Sequence, residues 1–380
     1  MLILLSACTL SLDLVPHDEP TNYPDLPALD DALVDEMYRW DIVGLSACVV
    51  KDHRIAWCRS YGVADADAAR PVTLHTPFMI ASISKVFVAM AAHRAVEEGA
   101  LDLEDRVADW LPYPLPAQAG DMRVWHLLTH TSGIDDDWGV LDEDVVHDRD
   151  ATIDLDTYLQ SYLSPDGSRY HERHVRQHEP GDHWRYSNVG YALLADVVQR
   201  ATGEPFAAYT ASRIFEPLGM ASAAWFLADV SDPDALARPH EVVRGDARPL
   251  PHLGFPTWPD GQLRMHVEDL ARFVVALTDG GSGIVPPERV VEMERSQVPH
   301  LGHGVWPVDH QGLGLLGFTV GDRALVGHGG TSTGIKSMMV YDPERAIGAV
   351  MLTNARGAGG LHPLKSSRAI VDHLLDATAL

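Results

Sequence analysis

The chain has 380 residues, 46% of them hydrophobic, and a formal net charge of −25 at pH 7. This length allows the hydrophobic core of two domains, and no window approaches the roughly 18 consecutive apolar residues of a membrane-spanning helix. The negative charge argues against nucleic acid and anionic membrane surfaces as partners, because phosphate binding needs a basic surface.

The first residues resemble an export signal. The sequence LLSAC at 4–8 resembles the lipobox of a bacterial lipoprotein, in which the cysteine becomes the lipidated N-terminus. The apolar stretch before Cys8 is short and contains no Lys or Arg, so the signal peptide is incomplete. We expect residues 1–20 to be a signal and flexible tether, with a lipid anchor at Cys8 and a location in the cell envelope or periplasm. The alternative is a cytoplasmic protein.

A β-hairpin is predicted after a helix at 26–40. Its strands are GLSACVV and RIAWCRSYGV, joined around KDHR. A two-residue turn would place Cys48 opposite Trp57, whereas a three-residue turn would place it opposite Cys58. The second register is compatible with a disulfide, but three cysteines are too few for a disulfide framework, and we expect two buried free thiols.

The next helix, SISKVFVAMAAHRAVEEGA, carries the first candidate for chemistry. Ser82 and Lys85 are spaced i, i+3 and therefore share one helix face. Ser82 is predicted in the first turn, where unpaired N–H groups favour a developing oxyanion. Burial would lower the pKa of Lys85 and make its neutral amine a base. The chain has only four lysines, yet S-x-x-K alone is a weak signal because it also arises by chance.

From about 100 to 300 the chain is predicted to be mainly helical, with long polar loops. YALLADVVQRATG and EDLARFVVALTDGG are its clearest helices, and Tyr186 and Asn188 stand just before the first. His126 and His130 are interpreted as structural. The sequence DDDW at 135–138 is expected to be a solvated acidic loop, with a position at the edge of the cleft as the alternative. A further group of histidines lacks an H-E-x-x-H pattern and is interpreted as a solvated loop without a metal: His171, His174, His178 and His183.

The last 80 residues are predicted to contain mainly short strands instead of helices. LGLLGFTV, RALVGHG, SMMVYD and AIGAVMLTN predict four strands, followed by a helix at about 363–378. Strands at both chain ends predict an α/β (α+β) fold, in which helices flank one antiparallel sheet built from both ends, with a mainly helical domain inserted. The predicted boundaries are 21–80 with 305–380 for the α/β domain and 81–304 for the helical domain.

This pattern also bears on a second serine. Gly330-Thr331-Ser332-Thr333-Gly334 reads G-x-S-x-G, the nucleophile elbow of α/β-hydrolases. An elbow needs a strand before the serine, a helix after it, and an acid and a histidine further on. A hairpin follows instead, so Ser332 is not expected to be the nucleophile.

The motifs together resemble a known family. The order S-x-x-K, Y-S-N and H-G-G, with HLLTHTSGI and EPGDHWRYSNVGYALLADVV, is similar to the serine β-lactamase and penicillin-binding superfamily, especially class C β-lactamase-related hydrolases. That group includes D-aminopeptidases, DD-peptidase-like enzymes and family VIII carboxylesterases. The resemblance runs from about residue 43 to the C-terminus and implies a β-lactamase/transpeptidase-like fold.

The resemblance also implies roles for residues. Ser82 would be acylated, Lys85 would be hydrogen-bonded to it, and Asn188 would hold the substrate and the lysine. Tyr186 would deprotonate the serine or pass its proton to the leaving group, so the base is Lys85 or Tyr186. The oxyanion would lie between the backbone N–H groups of Ser82 and Thr331. The glycine-edged strand would complete the site: His328, Gly329 and Gly330.

One departure concerns the substrate. Many β-lactamases have K-T-G where this chain has His328-Gly329-Gly330, so a permanent cation for a substrate carboxylate is missing. We therefore expect a serine hydrolase without metal or cofactor, acting on a small ester, amide or peptide. The alternatives are a β-lactamase or DD-carboxypeptidase, an acyltransferase of the same fold, and a catalytically silent binding protein.

Overall fold

A computed structural model describes residues 12, 14, 23–176, 178–299, 308–355 and 363–379. The lipobox-like segment with Cys8 and most of the predicted tether lie outside the described residues. Within those residues, no helix is both long and apolar enough to cross a membrane.

The helices of the described residues confirm the predicted ones closely, with the predicted helix at 26–40 beginning one residue later. They are α1 (Pro27–Trp40), α2 (Ser84–Glu97), α3 (Val107–Trp110), α4 (Val124–Leu128), α5 (Trp138–Leu141), α6 (Leu155–Leu163), α7 (Asn188–Thr202), α8 (Phe206–Thr210), α9 (Val267–Thr278), α10 (Pro287–Glu294) and α11 (Pro363–Asp376).

The strands of the part of the chain that the structure describes fall into one large sheet and three short pairs. They are β1 (Gly44–Lys51), β2 (Arg54–Asp65), β3 (Arg70–Pro71), β4 (Phe78–Met79), β5 (Val146–His147), β6 (His240–Val243), β7 (Asp246–Pro249), β8 (Leu253–Gly254), β9 (Arg264–Met265), β10 (Val298–Pro299), β11 (His310–Gln311), β12 (Leu316–Val320), β13 (Arg323–Ser332), β14 (Ile335–Asp342) and β15 (Ile347–Thr353).

The large sheet joins the two ends of the chain, as predicted. Among the described residues it has nine strands in the order β10-β11-β12-β13-β14-β15-β1-β2-β3, and its neighbouring strands pair antiparallel. The first hairpin meets the C-terminal meander where β1 pairs with β15. The predicted α/β class with an antiparallel sheet flanked by helices is therefore confirmed.

Both faces of the sheet are covered because its central strands are apolar on both sides. In β15, Ala349 and Met351 belong to the core shared with α1 and α11, whereas Val350 and Leu352 belong to the core shared with the helical segment. Successive side chains of a strand point to opposite faces, so a continuous apolar run such as IGAVMLT suits a strand that is buried on both faces.

The helical segment packs around α2. Most of the length of α2 is buried, from Ser84 to Ala95, as expected of a helix that is apolar on all sides. It contacts α7, which ends at Gly203 in the left-handed conformation. The predicted boundary at 304 stays a prediction, although α9, from the predicted helical domain, packs on β1, β2 and β15.

The expectation of free thiols at Cys48 and Cys58 is wrong, because the two residues form a disulfide. The turn does have two residues, since Lys51 pairs with Arg54. A β-bulge between Val49 and Val50 then shifts the register by one residue, which brings Cys48 opposite Cys58 instead of Trp57. The predicted choice between two turn lengths did not include this third arrangement.

Candidate active site

Ser82 lies where the chain turns from β4 into α2. It belongs to a short 3₁₀ turn, Ala81–Ile83, that leads directly into the helix. The Ser84 hydroxyl donates to the Ala81 carbonyl at 2.7 Å and accepts from the Leu263 N–H at 3.2 Å. Ser82 itself is partly exposed, so its hydroxyl is held at the surface by a turn whose next residues are anchored in the core.

Lys85 lies one turn after Ser82 and is fully buried. Its Nζ donates to the Ser82 Oγ at 3.2 Å, to the Asn188 Oδ1 at 2.7 Å and to the Asp260 carbonyl at 2.5 Å. Burial lowers the pKa of Lys85 to about 8, although the carboxylates of Asp260 and Asp136 oppose this shift. The amine can therefore lose its proton near physiological pH and accept one from Ser82.

Tyr186 faces the same ammonium group from the residue before the N-cap of α7. Its ring centre lies 5.1 Å from the Lys85 Nζ, and its hydroxyl lies beside Ser82. Burial raises the pKa of Tyr186 far above its usual value. The ring stacks on His130 at 4.3 Å, and the His130 Nδ1 accepts from the Ser187 N–H at 3.1 Å. His130 thus positions the tyrosine, in agreement with its predicted structural role.

Asn188 begins α7 and is held by a carboxylate that the sequence interpretation misjudged. The Asp136 carboxylate accepts from the Asn188 Nδ2 and N–H, both at 2.8 Å. It also accepts from the Ser187 hydroxyl at 3.0 Å and the Val189 N–H at 3.2 Å. A carboxylate only accepts hydrogen bonds, so it orients the amide of Asn188 with the Oδ1 towards Lys85.

The DDDW segment is therefore not a solvated acidic loop, and that expectation is corrected. Asp135 pairs with Arg176 and Arg185, and Asp137 pairs with Arg173. The alternative position beside the cleft is the observed one, since Trp138 lines the cleft. The sequence carried no local signal for the role of Asp136, because its partners are about fifty positions away in the chain.

Asp260 is a second acidic residue that the sequence interpretation missed. Its carbonyl accepts from Lys85, and its Oδ1 lies 3.9 Å from the same Nζ. Burial raises the pKa of Asp260 to about 6, and the positive charge of Lys85 opposes the shift. The lysine therefore lies beside a buried carboxyl group that is ionised at neutral pH.

The third predicted motif, His328-Gly329-Gly330, lies on β13, opposite Ser82. β12 pairs with β13 only as far as Gly327, and residues 328–332 pair with β14 on their other side. A Cβ on Gly330 would lie 2.2 Å from the Ser337 Oγ and 2.4 Å from the Ile80 carbonyl oxygen. Glycine at this position therefore allows the strand to approach the turn that carries Ser82.

His328 does not replace the missing cation. Its side chain is buried, and its Nδ1 lies 2.7 Å from the Gly329 carbonyl. Burial, together with the charge of Lys85, lowers the pKa of His328 to about 3. The imidazole is consequently neutral at pH 7 and offers no positive charge to a substrate carboxylate.

Ser332 lies at the end of β13, and a tight turn leads from it into β14. This strand–turn–strand context is the one predicted, and it differs from the strand–turn–helix of a nucleophile elbow. Ser332 does line the cleft, together with the predicted residues Ser82, Tyr186, Asn188, His328, Gly329 and Thr331. Position in the cleft alone therefore does not distinguish the two serines, whereas the hydrogen bond from the Lys85 Nζ to the Ser82 Oγ does.

The histidine-rich segment does not assemble a metal site among the described residues, where no group of three or more His, Cys, Asp or Glu side chains is suitably placed. His174 is buried and stacks on Tyr162, and His178 contacts His183. The His126 Nδ1 accepts from the Arg123 N–H at 2.8 Å at the start of α4. These histidines have local structural contacts.

The candidate site opens into a cleft of about 970 Å³. Lys85 lies beneath it, with the partly exposed Ser82 at its surface. The arrangement combines a hydroxyl, an adjacent amine of lowered pKa, a phenol and a glycine-edged strand. Such a set can activate a serine for attack on a carbonyl group.

Known proteins share both the sequence and the fold. A family model described as Beta-lactamase matches residues 29–370. Esterase EstB of Burkholderia gladioli is 34% identical over 232 residues, which are 60% of this chain and 56% of the esterase. Penicillin-binding protein 4* of Bacillus subtilis is 35% identical over 177 residues, 44% of this chain and 34% of that protein. The matches thus span little more than half of the first relative and about a third of the second.

Solved structures match over more of the chain. The D-amino acid amidase from Ochrobactrum anthropi SV3, complexed with L-phenylalanine amide, has a TM-score of 0.74 and 25% identity, covering 92% of this chain and 98% of that one. The octameric penicillin-binding protein homologue from Pyrococcus abyssi has a TM-score of 0.74 and 26% identity, covering 93% and 78%. Because the family model spans most of the sequence and these folds match over nearly all of it, the chain belongs to the beta-lactamase family.

Proposed function

We propose that the protein is a serine hydrolase that cleaves an ester or amide bond through an acyl-enzyme on Ser82. The Ser82 oxygen attacks the substrate carbonyl and its proton passes to the base. The bond to the leaving alcohol or amine then breaks, and the leaving group takes up a proton. Water next attacks the acyl carbon, which releases the carboxylic acid and restores the Ser82 hydroxyl.

The observation that carries this proposal is the contact between Ser82 and Lys85. Their side chains are 3.2 Å apart, the lysine is fully buried, and its pKa is lowered to about 8. A serine hydroxyl is a weak nucleophile unless a neighbouring base takes its proton. A neutral amine at this distance is such a base.

Lys85, rather than Tyr186, is proposed as the group that first accepts the proton. The pKa of Lys85 is lowered towards neutrality, whereas burial raises the pKa of Tyr186. The phenol is thus protonated and is suited to donate a proton to the leaving group, which needs one when its bond breaks. Its ring centre lies 5.1 Å from the Lys85 Nζ and its hydroxyl lies beside Ser82, close to the atoms that would react.

The oxyanion is proposed to lie between the backbone N–H groups of Ser82 and Thr331. Both residues line the cleft, and Gly330 lets β13 pack against the residues preceding Ser82. The Ser337 hydroxyl, on the neighbouring strand, donates to the Ile80 carbonyl at 2.7 Å and ties the two segments together. Fixed donors aimed at a developing negative charge contribute strongly to catalysis.

Two relatives support an ester or amide as the bond that is cleaved. One is named an esterase and another a D-amino acid amidase. The names do not distinguish the two bonds for this chain, and β-lactam or DD-carboxypeptidase activity is the second candidate because penicillin-binding proteins are also among the relatives.

The proposal is tested by trapping the acyl-enzyme. The protein is treated with a fluorophosphonate probe, and intact-mass and peptide-mass analyses locate the adduct. We expect one adduct, on Ser82, in wild type and in Ser332→Ala, and none in Ser82→Ala. p-Nitrophenyl esters, D-amino acid amides and penicillins are assayed in parallel with EDTA present, which should leave the rates unchanged. An adduct on Ser332, or no turnover of any of these substrates, would refute the proposal.

We also propose that the protein is exported and carries a lipid at Cys8. The buried Cys48–Cys58 disulfide supports this location, because disulfides persist mainly in oxidising compartments. Expression of the full chain in a bacterium, followed by fractionation and mass analysis of the N-terminus, should give a membrane-associated lipopeptide that begins at Cys8. Cys8→Ala should abolish it, and an unprocessed cytoplasmic protein would contradict the proposal.

A further inference from the structure

The walls of the cleft are largely apolar. One wall comes from α5 and the residues after it, with Trp138, Leu141 and Val145. A second part of the lining comes from the chain around β8, which pairs with β5 beside the first part, with Leu250, Leu253 and Phe255. Neither set belongs to the candidate catalytic residues, so these side chains are available to select the groups attached to the reacting carbonyl.

One wall residue is unusually exposed. Trp138 has 58% of its surface accessible and also lines the cleft. The segment before it is fixed, since the Asp137 side chain accepts from the Gly139 N–H at the start of α5. The indole is thus held at the mouth of the cleft by an ordered helix.

The charge of the cleft is one-sided. Among the described residues that line it there is no Lys or Arg, and the acidic ones are Asp142 and Asp260. Two histidines, His147 and His328, also line it, and His328 is neutral at pH 7 because of its burial. The whole chain adds a formal charge of −25. A carboxylate on the substrate would therefore lose its hydration without gaining a permanent cation from the described lining.

We propose that the cleft selects uncharged esters or amides with an apolar acyl group, and that it disfavours substrates with a carboxylate. This inference rests on the proposed function and specifies its substrate class. The volume of about 970 Å³ leaves room for an acyl chain of several carbons beside the leaving group. Each methylene buried against the apolar walls should improve binding by about three- to fourfold.

The first test compares substrates on the wild-type protein. p-Nitrophenyl acetate, butyrate and hexanoate should show kcat/KM rising by about threefold or more for each added methylene. p-Nitrophenyl hydrogen adipate carries a carboxylate in place of the terminal methyl of the hexanoate chain, and its kcat/KM should be at least about tenfold below that of hexanoate. Equal rates for the last two esters, or a flat series, would overturn the inference.

The second test uses variants of the cleft. Phe255→Ala and Trp138→Ala should each reduce the gain from acetate to hexanoate by several-fold. Val291→Ala is the matched control, because Val291 is also exposed but lies on α10, away from the lining of the cleft. An unchanged gain in both cleft variants would contradict the assignment of these walls.

A charge variant completes the test. Asp142→Asn should raise kcat/KM for the adipate ester relative to hexanoate, whereas Glu143→Gln, its neighbour outside the lining, should not. Active-site titration distinguishes the two levels of failure. If Ser82 is acylated but these preferences are absent, only the inference is wrong. If no ester acylates Ser82, the proposed function is wrong as well.

Discussion

Lys85 is a buried amine whose neighbours shift its pKa in opposite directions. Burial lowers the pKa to about 8, and the carboxylates of Asp260 and Asp136 oppose this shift. The base form is the neutral amine, so activity should rise with pH as Lys85 loses its proton. Besides burial, the pH at which activity rises therefore depends on two acidic residues that do not themselves contact the carbonyl group of the substrate.

This leads to a prediction for Asp260→Asn. The variant keeps the backbone carbonyl that accepts from Lys85 but removes the carboxylate 3.9 Å away. Without this negative charge the pKa of Lys85 should fall, so the acidic limb of the kcat/KM profile should move to lower pH by about one unit. A profile measured from pH 5 to 10 tests this. A shift to higher pH would contradict the assignment of Lys85 as the base.

A second prediction concerns the two serines. Ser82→Ala should lower kcat by at least about a thousandfold, because it removes the proposed nucleophile. Ser332→Ala should retain most of the activity, since Ser332 is followed by a hairpin in which it lies opposite Ile335, whereas Lys336 lies opposite Thr331 and therefore on the other face of the sheet. Steady-state hydrolysis of p-nitrophenyl butyrate decides between them. Loss of activity in Ser332→Ala alone would invalidate the assigned nucleophile.

Asp136 gives a third prediction. In Asp136→Asn an NH₂ group would face several N–H donors, so the amide of Asn188 should lose its fixed orientation. We expect kcat to fall by up to about a hundredfold with little change in KM, together with an acid shift of the pH profile. Asp135→Asn is the control, because its carboxylate faces two arginines instead. Equal effects in both variants would indicate a merely structural role.

These residues also show how far the sequence predicts the site. Ser82 and Lys85 were recognisable because their contact depends on local helix spacing, and Tyr186 and Asn188 because they form a recognised motif. Asp136 and Asp260 act through contacts with residues distant in the chain. No local pattern marks such a contact, and an acidic run is usually solvated, so both carboxylates required the structure.

At the level of elements, the site depends on the close packing of β13 against the turn before α2. Gly330 lies in β13, where an added Cβ would collide with a hydroxyl and a backbone carbonyl. The turn includes Ala81, which has a positive φ of 49° although it is not glycine. Two separate elements therefore approach each other through small residues.

Gly330→Ala should consequently separate β13 from Ser82. We expect a loss of stability of about 1–3 kcal/mol, as for an overpacked core, and a larger fractional loss in kcat than in the amount of folded protein. Gly120→Ala is the control, because Gly120 has a helical conformation and its Cβ would lie 3.2 Å from the nearest heavy atom. Thermal melts and kcat are measured for both. Full activity in Gly330→Ala would show that the close approach is not needed.

The elements themselves were largely predictable, because the periodicity of apolar residues and the glycines at helix ends indicated the helices and the four C-terminal strands. The cysteine pair was not, since its register depends on a bulge at Val49 and Val50 that no sequence pattern announced. A bulge inserts one residue into one strand and moves every later pair. A shift of one residue in the pairing of β1 with β2 decides whether Cys48 lies opposite Trp57 or opposite Cys58, with which it forms the disulfide.

For the whole molecule, the disulfide should contribute to stability. Replacing both cysteines in Cys48→Ala/Cys58→Ala should lower the free energy of unfolding by about 2–4 kcal/mol and the Tm by about 5 °C. A reductant present during the melt should lower the Tm of wild type similarly and leave that of the variant unchanged. If the reductant leaves the Tm of the wild-type protein unchanged although the protein unfolds completely in its presence, the disulfide does not have a stabilising role.

The pairing of β1 with β15 also determines when the large sheet can form. Leu45 lies opposite Thr353, so the middle of the sheet closes only after nearly the whole chain has been synthesised. Pairing of such distant segments carries a large loop-closure entropy, and folds with a high contact order fold slowly. The sheet should therefore remain incomplete throughout synthesis, when its apolar strands are exposed. Any truncation before residue 347 removes β15 and with it the strand that joins the two ends of the molecule.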